Sequence, residues 1–233
     1  MWNNIEQNII YEDKEILVCH KPAGLAVQNA RIGAADMETA LKNYIYAGNP
    51  GKMPYLGVVH RLDQPVEGVL VFAKTKKAAA GLTKQLTTSQ MTKEYVAVTD
   101  HIPEKAKGCL VDFLKKDGKT NTSAVVKEGV EGAKKAILDY EVLEEIEDNR
   151  TKTGKRVLIK ILLGTGRHHQ IRVQMSHNGM PLLGDRKYYS EDTSRLSLGL
   201  CSCHLVLRHP GNGKKMEFSV KPEGAAFEGF SCL

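Results

Sequence analysis

The chain has 233 residues, 42% hydrophobic and 26% charged, which is the composition of a folded globular protein and excludes a disordered one. Its 33 Lys and Arg against 27 Asp and Glu leave a net charge of +6, a balance that favours a polyanionic partner. Five scattered cysteines (Cys19, Cys109, Cys201, Cys203 and Cys232) exclude a regular disulfide framework, and no apolar run is long enough to span a bilayer. With no basic-then-apolar start over Met1 to Gln7, the expectation is a soluble, cytoplasmic protein, monomeric by default.

In chain order, Ile9 to Cys19 reads as a strand, an acidic turn and a second strand, stopped by Lys21-Pro22-Ala23-Gly24. Residues 37–46 have helical spacing, with Leu41 and Ile45 four apart. Residues 69–73, Val-Leu-Val-Phe-Ala, form a continuous apolar run of strand length that reads as buried on both faces. Thr75 is placed to cap a helix in which Ala78, Leu82 and Leu86 share one face. Further strands are expected at 93–98, 122–127, 136–143 and, most strongly, 156–163. A helix from about His168 to His177 follows the turn Gly164-Thr165-Gly166, and strands at 203–207 and 216–220 flank a turn at 209–213. The charged stretch 144–154 is the most linker-like, yet short enough to join paired strands. One domain over residues 1–233 is expected, of the α+β class, since strands dominate without regular alternation with helices.

Two segments could carry chemistry. His60-Arg61-Leu62-Asp63 lies just before the buried strand. Spacing alone fits a surface turn, or a loop that presents a carboxylate for nucleophilic work, kept ionised by a nearby cation. Gly164-Thr165-Gly166-Arg167-His168-His169-Gln170-Ile171-Arg172 opens a helix with a basic, amide-rich start. It reads as a solvated face or as an anion-binding surface, with His168 and Arg172 sharing a helix face. The pair His168-His169 and the cluster Cys201-Ser202-Cys203-His204 lack the spacing of a metal site, and no phosphate loop or dinucleotide fingerprint is present. No nucleophile elbow of the form Gly-x-Ser-x-Gly supports a hydrolase.

Taken together these segments resemble the RluA-like family of pseudouridine synthases. The resemblance rests on Lys21-Pro22-Ala23-Gly24-Leu25, on His60-Arg61-Leu62-Asp63 followed by Gly68 to Thr75, and on Lys93-Glu94-Tyr95. Gly166 to Val173, Pro181-Leu182-Leu183-Gly184-Asp185 and the closing strands continue it in order. It implies a pseudouridine-synthase-like, mainly antiparallel sheet flanked by helices, with a central RNA-binding cleft. It also implies an isomerase for uridines in structured ribosomal or transfer RNA that needs no cofactor or metal. Asp63 would be the catalytic carboxylate, Tyr95 would sit against the uracil ring, and Arg172 would pair with Asp63. Arg61 would fill the stack vacated by the flipped base, with His60, Arg167, His169 and Gln170 as further substrate-contacting positions and His60 and Leu62 shaping the loop. A catalytically silent RNA-binding relative is the alternative. The chain departs from the family at Gln64-Pro65-Val66-Glu67, where Lys and Ser are usual, and at Gln28 and Gln174, where His is common. It begins directly at the catalytic domain, so no separate N-terminal RNA-binding domain is expected.

Overall fold

The computed structural model describes residues 5–29, 33–51 and 53–233. The first four residues of the stretch read above for a targeting signal lie outside the described residues. In chain order the strands and helices are β1 (Ile9–Glu12), β2 (Ile16–Lys21), α1 (Met37–Gly48), β3 (Gly57–Val58), β4 (Glu67–Ala73), α2 (Lys76–Thr87) and β5 (Thr92–Thr99). There follow β6 (Lys107–Asp117), β7 (Thr122–Val126), β8 (Lys134–Glu147), β9 (Lys155–Leu163), α3 (Gln170–His177), β10 (Leu200–Arg208) and β11 (Lys215–Ser219). This is the expected α+β architecture of mainly antiparallel strands with separated helices. No helix among the described residues is long and apolar enough to cross a membrane.

The chain forms two compact units, Met1–Lys93 with Ser202–Lys221, and Glu94–Cys201 with Pro222–Leu233. Two of the passages between them fall inside strands, β5 and β10, where no linker composition marks them. That is why the sequence shows no boundary.

In the first unit β2 pairs with β1 on one side and with β4 on the other, and β10 pairs with β11, all antiparallel. Strand β4 is buried along all seven residues, as its unbroken apolar run requires. One face of this sheet presents Ile16, Val18, Val69, Val71, Leu205 and Leu207 to Ala78 and Leu82 of α2. Each such large aliphatic side chain contributes about 1.5–3 kcal/mol by leaving water, so the strand ahead of the Asp63 loop has a fixed foundation. Helix α2 starts where Thr75 accepts a hydrogen bond from the Ala78 amide at 3.0 Å, as the sequence suggests. Helix α1 is capped by Asp36, which accepts from the Thr39 amide at 2.7 Å. At Gly68 the backbone has φ +132, and a Cβ there would meet the Ser202 carbonyl oxygen at 2.4 Å. No other residue fits there, one step from the start of β4.

The second unit is an antiparallel sheet in the order β5, β9, β8, β6, β7. Helix α3 lies against it through Val173, which meets Leu114 of β6 and Ala136 of β8. Strand β6 was not legible in the sequence. Only Leu114 along it is buried, so its residues give little of the alternation by which half-buried strands are read. Strand β8 runs on to Glu147 past a bulge between Val142 and Glu144, so the charged linker-like stretch is in part a strand end with exposed carboxylates. Helix α3 begins at Gln170, two residues later than expected, because His169 takes a left-handed conformation with φ 52. His168 therefore precedes the helix and shares no helix face with Arg172. The two imidazoles, which would point apart on a helix, instead stack with ring centroids 3.8 Å apart.

Candidate active site

In the first unit Asp63 sits on the loop between β3 and β4, half-buried between two anchors, Leu62 and Val66, that are 7% and 2% exposed. The Asp63 carbonyl accepts from the Val66 amide at 3.0 Å, so Gln64 and Pro65 form the tight turn that follows the carboxylate. This turn is tied to the one after β2. The Gly24 amide donates to the Gln64 carbonyl at 2.9 Å, and Gln64 Nε2 returns a bond to the Gly24 carbonyl at 3.0 Å. The departure at Gln64 thus builds a two-way clamp between loops.

Beneath the clamp lies Lys21, with no exposed surface. Its Nζ donates to the carbonyls of Pro22 at 2.9 Å, Leu25 at 2.7 Å and Gln64 at 3.0 Å, which uses all three ammonium protons. Burial pulls its pKa down to about 8, against the opposing pull of the Asp63 and Glu67 carboxylates and of Cys19. Glu67 is itself only 3% exposed and its Oε2 is 3.8 Å from His20 Nε2. The unusual carboxylate at this position is therefore a buried counter-charge under the Asp63 loop, in the field of Lys21. The consequence for pH has a definite sign. Below about pH 8 Lys21 is protonated in folded and unfolded chains alike, and its contribution is flat. Between pH 8 and an unfolded value of ~10.4 the folded chain has released a proton that the unfolded chain still holds, so this contribution to stability rises with pH. Urea midpoints of wild type minus Lys21→Met should climb over that window, and a flat difference would contradict the assignment.

His60, expected both among the substrate-contacting residues and as a residue that shapes the loop, holds the loop to β4. Its Nε2 accepts a hydrogen bond from the Val71 amide of β4 at 3.2 Å. Burial, reinforced by the Lys93 cation, pushes its pKa down to about 3. The ring is neutral at physiological pH and pins the loop to the strand. Arg61, between it and Leu62, is exposed.

In the second unit Tyr95 is 6% exposed on β5, opposite Ile161 of β9. Its neighbour Glu94 makes a 2.7 Å ion pair with Lys160. Arg172, 4% exposed on α3, holds Asp185 through Nε and Nη2, both at 2.7 Å, and its guanidinium lies 5.2 Å from the Tyr188 ring centroid. Asp185 also accepts from the amides of Lys187 and Tyr188, so one carboxylate fixes both the arginine and the loop after Gly184. The Tyr188 hydroxyl accepts from the Ser123 amide at 2.8 Å and lies 2.7 Å from His169 Nδ1. Gln170 is 3% exposed. Its Oε1 accepts from the Arg167 amide and the Thr165 hydroxyl, and its Nε2 donates to the Ile137 carbonyl. Its amide therefore holds the basic loop to β8, a positioning role rather than the surface contact expected of it. His169, 8% exposed, is likewise turned into the protein, while Arg167 is exposed. Gln174 is buried and donates to Asp112 Oδ2 at 2.8 Å, and Gln28 bonds Glu38 at 2.6 Å, so both departures serve packing and loop anchoring. Lys21, Asp185 and Tyr188 were not singled out by sequence reasoning, and Glu67 was noted only as a departure from the family. Lys21 and Asp185 stood within recognised motifs, but no periodicity signals a buried ion pair.

The first unit thus carries a carboxylate on a clamped loop, and the second a buried tyrosine and an arginine oriented by Asp185. Residues 15–177 match the family described as RNA pseudouridylate synthase. Ribosomal large subunit pseudouridine synthase D of Zymomonas mobilis is 30% identical over 233 residues, covering 94% of this chain and 70% of that one. Dual-specificity RNA pseudouridine synthase RluA of Salmonella typhimurium is 36% identical over 215 residues, 91% of each chain. Human RNA pseudouridylate synthase domain containing 4 has the same fold, with a TM-score of 0.75 at 24% identity over 94% of this chain and 90% of that one. The chain belongs to the RNA pseudouridylate synthase family. Enzymes of this family isomerise uridine to pseudouridine in RNA, and a catalytically silent relative is not the favoured reading.

Proposed function

We propose that this chain isomerises particular uridines in structured ribosomal or transfer RNA, with Asp63 as the catalytic carboxylate, Tyr95 against the uracil ring and Arg172 as the cation that pairs with Asp63. The observation that carries the reading is the Asp63 loop, held by Leu62, Val66, the Gly24–Gln64 clamp and buried Lys21 within the matched region. A carboxylate so fixed is prepared for one geometry, which is what nucleophilic or electrostatic assistance demands. The names of the relatives, which place them on ribosomal large-subunit RNA or give them dual specificity, favour ribosomal RNA as the first substrate to try.

The reaction breaks the bond from C1′ to N1, turns the base, and joins C1′ to C5, with the C5 proton lost and a proton gained at N1. Atoms and electrons balance within the nucleotide, so the chemistry calls for no redox partner. The base must first leave its stack, at a cost of a few kcal/mol. We assign Arg61 to the vacated position, a role that its exposure and its place two residues from Asp63 support. Arg61→Ala should lower turnover tenfold or more, on the order of 1.4 kcal/mol, with a smaller change in RNA affinity; equal losses in both would remove that role. We further assign the two units to one catalytic module, working as a monomer in the cytoplasm. Full-length protein incubated with unmodified, transcribed large-subunit and transfer RNA should form pseudouridine at one or a few sites. Absence of product on all of them would overturn the proposal.

A further inference from the structure

A second basic feature lies wholly within the second unit and is not used by the chemistry above. A cavity of about 210 Å³ is lined by Lys116, Lys134, Arg167, Ser123 and His168, over Leu114. Strand geometry explains why these side chains meet. Lys116 is paired with Ser123 across β6 and β7, and Leu114 is paired with Lys134 across β6 and β8. Paired residues share a face of the sheet, and so do Leu114 and Lys116, two apart on one strand. That is the face on which Leu114 meets Val173 of α3. The two lysines therefore rise beside the beginning of α3, where the loop after β9 delivers Arg167 and His168.

The electrostatics are one-sided. Lys107, Lys152, Lys155 and Lys160 of the same unit each hold a glutamate. The side chains of Lys116 and Lys134 make no hydrogen bond or ion pair among the described residues. The Arg167 guanidinium is fixed by a 2.8 Å bond from its Nε to the Lys135 carbonyl, a neutral acceptor that leaves its charge uncompensated. Its loop is held by Gln170, and His168 is oriented by Ser123 Oγ at 2.9 Å from Nδ1. Three cations around one small hollow repel one another with no ion pair among the described residues to offset it, while a bound anion would relieve all three. The apolar floor at Leu114 suits a ligand whose anionic group is flanked by carbon.

We infer that this groove is the subsite for a phosphodiester of the RNA strand at a nucleotide other than the one that reacts. The inference rests on the proposed RNA substrate and adds to it a contact that sets affinity and register. A backbone contact of this kind positions RNA without reading its sequence, and it releases counterions, so it shows in the salt dependence of binding. Binding of transcribed, unmodified large-subunit RNA is to be measured between about 50 and 200 mM salt. The proteins compared are the wild type, Lys116→Ala/Lys134→Ala, and a control of equal charge loss, Lys14→Ala/Lys105→Ala. The groove variant should lower the slope of log affinity against log salt by about 1 or more and weaken binding roughly tenfold at the middle of the range, with an unchanged melting temperature. The control should keep the wild-type slope. Equal slopes for groove variant and control would overturn the assignment. So would tight calorimetric binding of inorganic phosphate, lost in the groove variant while the RNA slope stays, since the groove would then serve a free anion. Wild type that forms pseudouridine while the groove variant keeps its slope removes only this inference. Wild type that binds RNA with the groove-dependent slope but forms none removes only the proposed isomerisation.

Discussion

Asp63→Asn should lower pseudouridine formation by roughly 10³-fold or more, while leaving the fold and RNA affinity close to wild type. The substitution keeps size and shape, and it leaves in place the loop bonds given above. They run through the Asp63 carbonyl, Gln64, Gly24 and Lys21. What is lost is an anionic oxygen, which an amide cannot supply either as a nucleophile or as a stabiliser of positive charge. One secondary effect is expected in the melting curve. With the carboxylate gone, Lys21 retains Glu67 as a neighbouring carboxylate, so the part of the stability that runs through Lys21 should change little. Single-turnover assays with RNA at saturation separate the chemical step from binding. A variant with more than a tenth of wild-type activity would move the catalytic role away from Asp63.

Asp185→Asn should be the most damaging single change to stability. Arg172 and Asp185 are 4% and 1% exposed and joined by two 2.7 Å bonds, so neutralising the carboxylate removes a counter-charge and one acceptor oxygen from a buried guanidinium. Breaking such a pair costs about 3–5 kcal/mol, equivalent to a melting point lower by roughly 10 °C in a chain of this length. The Lys187 and Tyr188 amides donate to Oδ1, which asparagine retains as an acceptor, so the damage is expected at the Arg172 contact rather than in the loop. The double replacement Arg172→Met with Asp185→Leu separates stability from function. A well-packed apolar pair of similar volume should recover most of the lost stability, and pseudouridine should still not form, because the cation proposed to serve Asp63 is gone. Recovery of activity together with stability would make Arg172 structural only.

The sequence made the strongly apolar elements legible and the Asp63 loop nameable as a candidate, for different reasons. Strand β4 announces itself because it is buried on both faces, and α2 because Thr75 and the stripe of Ala78 and Leu82 mark its start and its inner side. Strand β6 stayed hidden because one face is solvent and the other meets only a short helix, so Leu114 stands nearly alone. The start of α3 was misplaced because the left-handed backbone of His169 is not written in any periodicity. The residues proposed for the site come from ordered motifs, whereas their supports do not. Lys21 reads as a charged residue ahead of a turn, and only the fold shows it buried under the Asp63 loop with three carbonyls around its ammonium. The odd segment after Asp63 is likewise explained only in three dimensions, with Gln64 clamped to Gly24 and Glu67 buried beside His20 in the field of Lys21.

The central claim is that this chain makes pseudouridine through Asp63. Its most direct test is site-resolved mapping of pseudouridine in ribosomal and transfer RNA from cells lacking the protein, complemented with wild type or with Asp63→Asn at equal abundance. The account expects one or a few sites to be lost without the protein, restored by the wild type and left unmodified by the variant. An unchanged pseudouridine map in the absence of the protein, or full restoration by Asp63→Asn, would contradict it.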